Sequence, residues 1–168
     1  MQILTINNKK EEKILRQKTK EFDLKKYPKA KLRELIKEMR QIMKNANGVG
    51  LSANQIGIDR QFFVAQVPDE NGRQKFYTVF NPKIISLSEE KIDLEEGCLS
   101  VPGVWGIVSR SNRITIEGLD LNGKKIKIKA WGFLAQVFQH EISHLNGGLF
   151  IDKAKKLKKI EINPSASK

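Results

Sequence analysis

The sequence predicts an α+β fold, and three observations support this prediction. A helical pattern follows Tyr27, β-forming segments occupy the middle of the chain, and a second helical pattern begins at Trp131. A helix, several antiparallel strands and another helix in this order are typical of the α+β class. The 168 residues suffice for one domain with its own hydrophobic core.

The first helical pattern has its apolar side chains on one face. They recur at spacings of three and four, at Leu32, Leu35, Ile36, Met39, Ile42 and Met43. Pro28 suits the start of this helix, and Asn47-Gly48 suits its end. We interpret it as an N-terminal helix that contributes to the core.

Two hairpins are predicted in the middle of the chain. Segments 61–67 and 75–80 are rich in β-forming residues and flank the turn sequence PDENGRQ. Segments 113–121 and 124–130 flank Asn122-Gly123, a pair that favours a type I′ turn.

The second helical pattern runs from Trp131 to Asn146, and Gly147-Gly148 suits its end. Beyond it, we predict a basic tail over residues 153–168. This tail is expected to begin as a helical turn and to fray before Pro164. Residues 1–152 are then expected to form a single domain.

Composition argues against several classes of protein. With one cysteine, Cys98, the chain cannot form an internal disulfide framework, and a reducing compartment is expected. No apolar run approaches the ~18 residues of a membrane span. Residues 1–13 lack the apolar stretch of a secretory signal. We therefore expect no membrane partner.

The net charge of +12 is concentrated at the two ends of the chain. Residues 1–47 carry 14 basic and 6 acidic groups, residues 48–123 carry 7 and 10, and residues 124–168 carry 10 and 3. The basic ends indicate either contact with a polyanion such as ribosomal RNA or a lysine-rich solvated surface. Charge alone favours the solvated surface, and nothing indicates sequence-specific binding of nucleic acid.

The pattern His140-Glu141-Ile142-Ser143-His144 predicts a metal site. Residues four apart share a helix face, so both imidazoles can reach one ion. Glu141 lies where its carboxylate can contact water at that ion, as in hydrolytic HExxH sites. A chance match on a surface helix is the alternative, but the pattern uses both histidines of the chain.

The third metal ligand is predicted upstream, at Cys98. Phe150 stands where metzincin proteases have a third histidine, and only Asp152 and Glu161 follow as acidic residues. An isolated cysteine is more often a small core residue. A Cys/His/His set with one open position is typical of catalytic metal sites, and its softness suits zinc.

A segment with two glycines, GVGLSANQ (48–55), follows the first helix. The glycines are explained either by a helix end and turn or by a segment that lines a cleft. In the second case, Gln55 presents an amide that can bind an oxyanion.

Three segments together resemble the peptide deformylase family: GVGLSANQ (48–55), EGCLS (96–100) and QHEISHL (139–145). The corresponding family motifs are GxGxAAxQ, EGCLS and QHExDHL, in the same order. The resemblance runs from about Leu4 to the end of GLFID (148–152). It implies antiparallel β-sheets packed around a central C-terminal HExxH helix, with an N-terminal helix. Residues 1–152 are then one metallohydrolase domain.

The resemblance implies an enzyme that removes the N-formyl group from the formyl-methionine of nascent polypeptides. It implies that Cys98, His140 and His144 bind the metal and that Glu141 is the general base, which later protonates the leaving amine. It further implies that Gln55 and the backbone N–H of Leu99 hold the oxyanion. The methionine pocket is implied at Val49, Gly50, Phe133 and Val137.

Further expectations concern the metal and the setting of the protein. The resemblance implies Fe²⁺ in vivo, with Zn²⁺, Ni²⁺ or Co²⁺ as substitutes. We expect a monomer in a bacterial-type cytoplasm, or in an organellar matrix after removal of a transit peptide. Alternatives from other classes are a catalytically weak relative that acts as a ribosome-associated binding protein, and a general zinc peptidase.

The sequence departs from the family motifs at three positions. Ser52 and Asn54 replace the usual Ala and Pro of the first motif, and Ser143 replaces the usual Asp between the two histidines. Loss of that Asp is expected to deprive Arg110 of a charge partner and to give an active enzyme with a weaker or slower metal site, unless another acid such as Glu95 or Asp152 compensates.

Overall fold

The computed structural model describes residues 1–160 and has the predicted α+β architecture. Three α-helices occur in this range: α1 (Lys9–Leu15), α2 (Lys29–Asn45) and α3 (Gly132–Leu145). The strands of the same range are β1 (Gly50–Ser52), β2 (Phe62–Pro68), β3 (Gln74–Leu87), β4 (Lys91–Cys98), β5 (Val101–Ser111), β6 (Arg113–Leu119), β7 (Lys125–Trp131) and β8 (Lys155–Lys159). Short 3₁₀ helices cover Leu24–Lys26, Ala53–Ile56 and Phe150–Asp152.

The strands form two antiparallel sheets. The larger sheet has the order β1-β2-β3-β6-β7, and the smaller sheet has the order β4-β5-β8. Helix α3 lies between the two sheets. One of its faces packs on the larger sheet. On another face, Gln136 and Gln139 donate hydrogen bonds to carbonyl groups of β4 and β5. The helix is thereby held between two layers of strands.

The main core lies between α3 and the larger sheet. Phe138 is fully buried, and its ring meets Phe63 of β2 and Tyr77 of β3 edge to face. The remaining buried members of this cluster are Ala65, Val67, Val79, Ile114, Ile116, Ala130, Ala135, Val137, Ile142 and Leu145. Burial of a large apolar side chain contributes about 1.5–3 kcal/mol, so this face anchors α3 firmly.

A second core covers the opposite face of the same sheet. The predicted apolar stripe of α2 is buried there through Leu32, Ile36, Met39 and Met43. These side chains meet Phe62, Val64 and other buried residues of the second cluster. Strand β2 is therefore covered on both faces, which explains why FFVA (62–65) is a continuous apolar run rather than an alternating one.

Both predicted hairpins are confirmed, but one turn differs from the prediction. β2 pairs with β3 and β6 pairs with β7, each antiparallel. In the second hairpin, Gly123 has a φ of 80°, whereas Asn122 does not have a positive φ, so the turn is not type I′. The Asp120 carboxylate accepts hydrogen bonds from the N–H groups of Asn122 and Lys124 and favours a longer loop.

The start of the predicted tail forms a strand, so the expectation of a helical turn is wrong. β8 pairs antiparallel with β5, with Val104 opposite Lys159 and Ile107 opposite Lys155. The open edge of β5 supplies hydrogen-bond partners that an isolated turn would lack. The expected fraying before Pro164 lies outside the described residues.

No helix among residues 1–160 is both long enough and apolar enough to cross a bilayer.

Candidate metal centre

Helix α3 brings the two histidines of the chain together. Their Nε2 atoms are 3.1 Å apart, as expected for residues one helical turn apart on the same face. His144 is buried and His140 is partly buried. Gly147, with a φ of 79°, ends the helix just beyond this pair.

Cys98 joins the histidines from the last position of β4. Its Sγ lies 3.2 Å from the Nε2 atom of His144, and the ligand atoms of Cys98, His140 and His144 all lie within 4.8 Å of one another. The pairing between β4 and β5 shifts register between Gly97 and Cys98. Glycine suits position 97 because the indole of Trp105 occupies the space that a Cβ would need.

The donor set fits a single divalent ion. Tetrahedral coordination at ordinary bond lengths separates two imidazole nitrogens by about 3.3 Å and a thiolate sulfur from a nitrogen by about 3.5 Å. The observed separations of 3.1 and 3.2 Å lie within a few tenths of an ångström of these values. Two imidazole nitrogens and a thiolate directed at one point suit a borderline or soft metal such as Zn²⁺ or Fe²⁺.

The Cys98 sulfur also receives two N–H groups. The backbone N–H of Ser100 lies 3.4 Å from Sγ, and the Nε2 atom of Gln55 lies 3.7 Å from it. These two contacts hold the sulfur in place beside the histidines.

Glu96 links the metal site to Arg110. Its carboxylate receives two bonds of 2.8 Å from the Arg110 guanidinium, and its Oε2 atom lies 3.0 Å from Nδ1 of His140. Burial would raise the pKa of Glu96, but the Arg110 and His140 hydrogen bonds lower it to about 2. The carboxylate therefore stays ionised and fixes the His140 ring with Nε2 directed at the metal position.

The two histidines have opposite electrostatic environments. Burial lowers the pKa of His144 well below its ordinary value, so its imidazole is neutral. Burial also opposes charge on His140, but the hydrogen bonds with Cys98 and Glu96 raise its pKa to about 10. An ion that binds here must displace this proton, so metal binding is expected to weaken as the pH falls.

The expected effect of Ser143 on Arg110 is wrong. The Nε and Nη2 atoms of Arg110 both donate to the carboxylate of Glu96 of β4, and the pair is almost fully buried. The carbonyl of Ser143 accepts from Gly148, and its Oγ atom lies close to Gly148 in the turn after α3. A carboxylate at position 143 is therefore unnecessary for balancing the charge of Arg110.

Glu141 lies beside the histidines in a buried position. The hydroxyl of Ser52 donates to its Oε2 atom at 2.5 Å. Its Oε1 atom lies against Gly50, where a Cβ would overlap with the carboxylate. Burial raises the pKa of Glu141 above its ordinary value, although the charge of His140 opposes this. A raised pKa suits a group that both accepts and returns a proton.

Gln55 is held with its amide nitrogen toward the sulfur. The backbone N–H of Ser52 donates to Oε1 of Gln55 at 2.9 Å, and Nε2 of Gln55 donates to Ser100 Oγ at 3.0 Å. These bonds determine which end of the carboxamide can donate into the site.

A cleft of about 430 Å³ brings the predicted residues together. Of the ten predicted site residues, nine line it: Val49, Gly50, Gln55, Cys98, Leu99, Phe133, Val137, His140 and Glu141. His144 is not among the lining residues and is buried behind them. Val49 and Phe133 remain 39% and 50% exposed, so the apolar part of the cleft is open to a ligand.

Sequence reasoning assigned no role to Glu96 or to the Ser52 hydroxyl. Glu96 lies inside the EGCLS segment, and its position beside Gly97-Cys98 was a usable signal. Ser52 was recognised only as a departure from the motif. Its contact with Glu141 joins residues 89 positions apart and depends on the packing of β1 against α3.

Comparisons with known proteins agree on one family. The family model described as polypeptide deformylase matches residues 1–160. The peptide deformylase of Halothermothrix orenii is 48% identical over 119 residues, which cover 71% of this chain and 75% of that protein. The peptide deformylase of Desulforudis audaxviator is 40% identical over 147 residues, covering 79% and 93%. The binding-protein alternative finds no support among these matches.

Solved structures show the same relationship. The peptide deformylase of Thermotoga maritima superposes with a TM-score of 0.80 at 35% identity, covering 92% of this chain and 97% of that chain. A class I type b peptide deformylase of Acinetobacter baumannii, solved with Met-Ala-Ser bound, gives a TM-score of 0.82 at 28% identity, covering 91% and 97%.

Proposed function

Because the chain belongs to the peptide deformylase family and removes the N-formyl group from nascent polypeptides, we propose that Cys98, His140 and His144 hold its metal and that Glu141 is its general base. The observation that carries this proposal is the convergence of one sulfur and two imidazole nitrogens within 4.8 Å, beside a buried carboxylate. When bound there, a divalent ion supplies a Lewis acid that makes water more acidic and stabilises negative charge on oxygen.

The residues of the chain then perform the remaining steps. Glu141 accepts a proton from water as the water oxygen attacks the formyl carbon. The Gln55 amide and the Leu99 backbone N–H donate to the oxygen that becomes negatively charged. Glu141 returns the proton to the amine as the C–N bond breaks, which leaves formate and a free N-terminus.

We propose that the methionine side chain occupies the apolar part of the cleft. Val49, Gly50, Phe133 and Val137 line this part, and a thioether side chain packs well against such surfaces. Filling it orients the formyl group toward Glu141, so that binding energy is used to position the reacting atoms.

The proposed general base is tested by Glu141→Gln. We expect the variant to bind a stoichiometric amount of metal and to lose about 10²–10⁴-fold in turnover of a formyl-methionyl peptide. Glu95→Gln, the same chemical change at an exposed residue of the same cleft, is the matched control. Near-normal turnover in Glu141→Gln would remove Glu141 from this role.

We also propose Fe²⁺ as the native metal, with Zn²⁺, Ni²⁺ or Co²⁺ as substitutes that the same ligands accept. Metal analysis of protein purified without oxygen tests this, and a different dominant metal would contradict it. Because the substrate is a nascent polypeptide, we propose a cytoplasmic location.

We further propose a monomer that contacts the ribosome through its basic ends. All five residues of β8 are exposed, and four of them are lysines. Reversing the charge of Lys156 and Lys158 should weaken co-sedimentation with ribosomes at low salt. Unchanged co-sedimentation would mean that these lysines form only a solvated surface.

A further inference from the structure

Residue 52 is a serine where the family motif usually has alanine, and its side chain is fully buried against α3. Its hydroxyl lies 2.5 Å from Oε2 of Glu141 and 2.9 Å from the backbone oxygen of Glu141. That backbone oxygen already accepts the helical N–H four residues later. The single hydroxyl proton is therefore best directed at the carboxylate.

This contact fixes the orientation of the carboxylate. Among residues 1–160, Ser52 is the only residue that donates a hydrogen bond to Glu141 Oε2. The other oxygen, Oε1, lies against the bare backbone of Gly50, and both residues line the cleft. A carboxylate held by one oxygen presents the other at a fixed position to water and to the leaving amine.

The backbone of Ser52 has a separate role that does not depend on its side chain. Its N–H donates to Oε1 of Gln55 at 2.9 Å. An alanine at position 52 keeps this bond to the Gln55 side chain. The variant Ser52→Ala removes the Glu141 contact and also the hydroxyl that caps the 3₁₀ helix Ala53–Ile56. The Glu141→Ala background separates these two effects.

We propose that Ser52 is a positioning residue that aligns the Glu141 carboxylate for proton transfer. This proposal rests on the proposed role of Glu141 as general base. A hydrogen bond from a hydroxyl to a charged carboxylate is stronger than one between neutral groups. It therefore favours one orientation of the Glu141 carboxylate over the others. Loss of the hydroxyl lets the carboxylate rotate away from the productive orientation, which costs rate rather than substrate affinity.

The test is a double-mutant cycle between Ser52 and Glu141, read by steady-state kinetics on a formyl-methionyl peptide. We expect Ser52→Ala to lower kcat about 10-fold, with KM and metal content unchanged. In a Glu141→Ala background, the same substitution should change the residual rate by less than about twofold, because the group that it positions is gone.

Thr19→Val is the matched control. The Thr19 hydroxyl is also buried and also donates to the backbone of α3, at Leu145, but it does not contact Glu141. Thr19→Val should lower the melting temperature about as much as Ser52→Ala and leave kcat unchanged.

Each outcome decides between the hypotheses. An unchanged kcat in Ser52→Ala would overturn the role of Ser52, as would a rise in KM alone, a matching loss of metal, or an equal loss of rate in the Glu141→Ala background. Normal turnover in Glu141→Ala would instead overturn the proposed general base, and it is measured in the same cycle as a separate arm.

Discussion

Replacing Glu96 by glutamine is expected to destabilise the protein in a manner that depends on pH. The carboxylate of Glu96 has a pKa of about 2 in place of an ordinary 4.5, mainly because the Arg110 and His140 hydrogen bonds overcome the effect of burial. At about 1.36 kcal/mol per pKa unit, this difference corresponds to about 3 kcal/mol of stability at neutral pH.

The sign of the pH dependence follows from the lowered pKa. The stabilisation is present above the unfolded pKa of 4.5 and is lost as the pH falls toward about 2. At pH 3, less than half of this stabilisation should remain. The pKa of His140 is raised to about 10, so His140 is protonated in both the folded and the unfolded state throughout this acidic range. It therefore does not change the pH dependence of the free energy of unfolding in this range.

The assay is urea unfolding of metal-free wild type and Glu96→Gln between pH 3 and pH 7. The free-energy difference between them should be about 3 kcal/mol at pH 7 and should shrink toward pH 3. Asp152→Asn is the control, because its ion pair with Arg16 is about a third exposed on each side and should contribute less than about 1 kcal/mol. A difference that does not vary with pH would refute this reasoning.

Further predictions concern the metal, the cleft and the departures from the motif. Cys98→Ser should lose stoichiometric metal and turnover, because a neutral hydroxyl replaces a thiolate; metal per chain checks this. Gly50→Ala should reduce turnover at unchanged metal content, because the new methyl displaces the Glu141 carboxylate. Ser143→Asp should not strengthen metal binding, because Arg110 is already paired with Glu96; competition with a chelator would reveal a gain and contradict this.

Periodicity predicted the elements that carry continuous apolar patterns. The stripe of α2 and the apolar face of α3 could be identified from the sequence because most of the side chains on each face are buried. Helix α1 was missed because it has only seven residues, KKEEKIL, and depends on the Asn8 cap. Strand β8 was missed because the sequence KKLKK forms a strand only beside the open edge of β5.

The candidate site, like the fold, could be predicted only in part from the sequence. The predicted ligands, Cys98 and the two histidines, could be selected from the sequence because the chain has one cysteine and two histidines. Their supporting contacts could not be selected, because Glu96 is one of 19 acidic residues and only the pairing of β4 with β5 brings it to Arg110. The same holds for the contact between Ser52 and Glu141.

The central claim is that this chain hydrolyses the formyl amide with a metal held by Cys98, His140 and His144. The most direct test measures formate released from a formyl-methionyl tripeptide by chelator-treated protein before and after Fe²⁺ is restored without oxygen. We predict negligible release before reconstitution, turnover after it, and no cleavage of the unformylated tripeptide. Equal release with and without metal, or cleavage of the unformylated tripeptide, would contradict the claim.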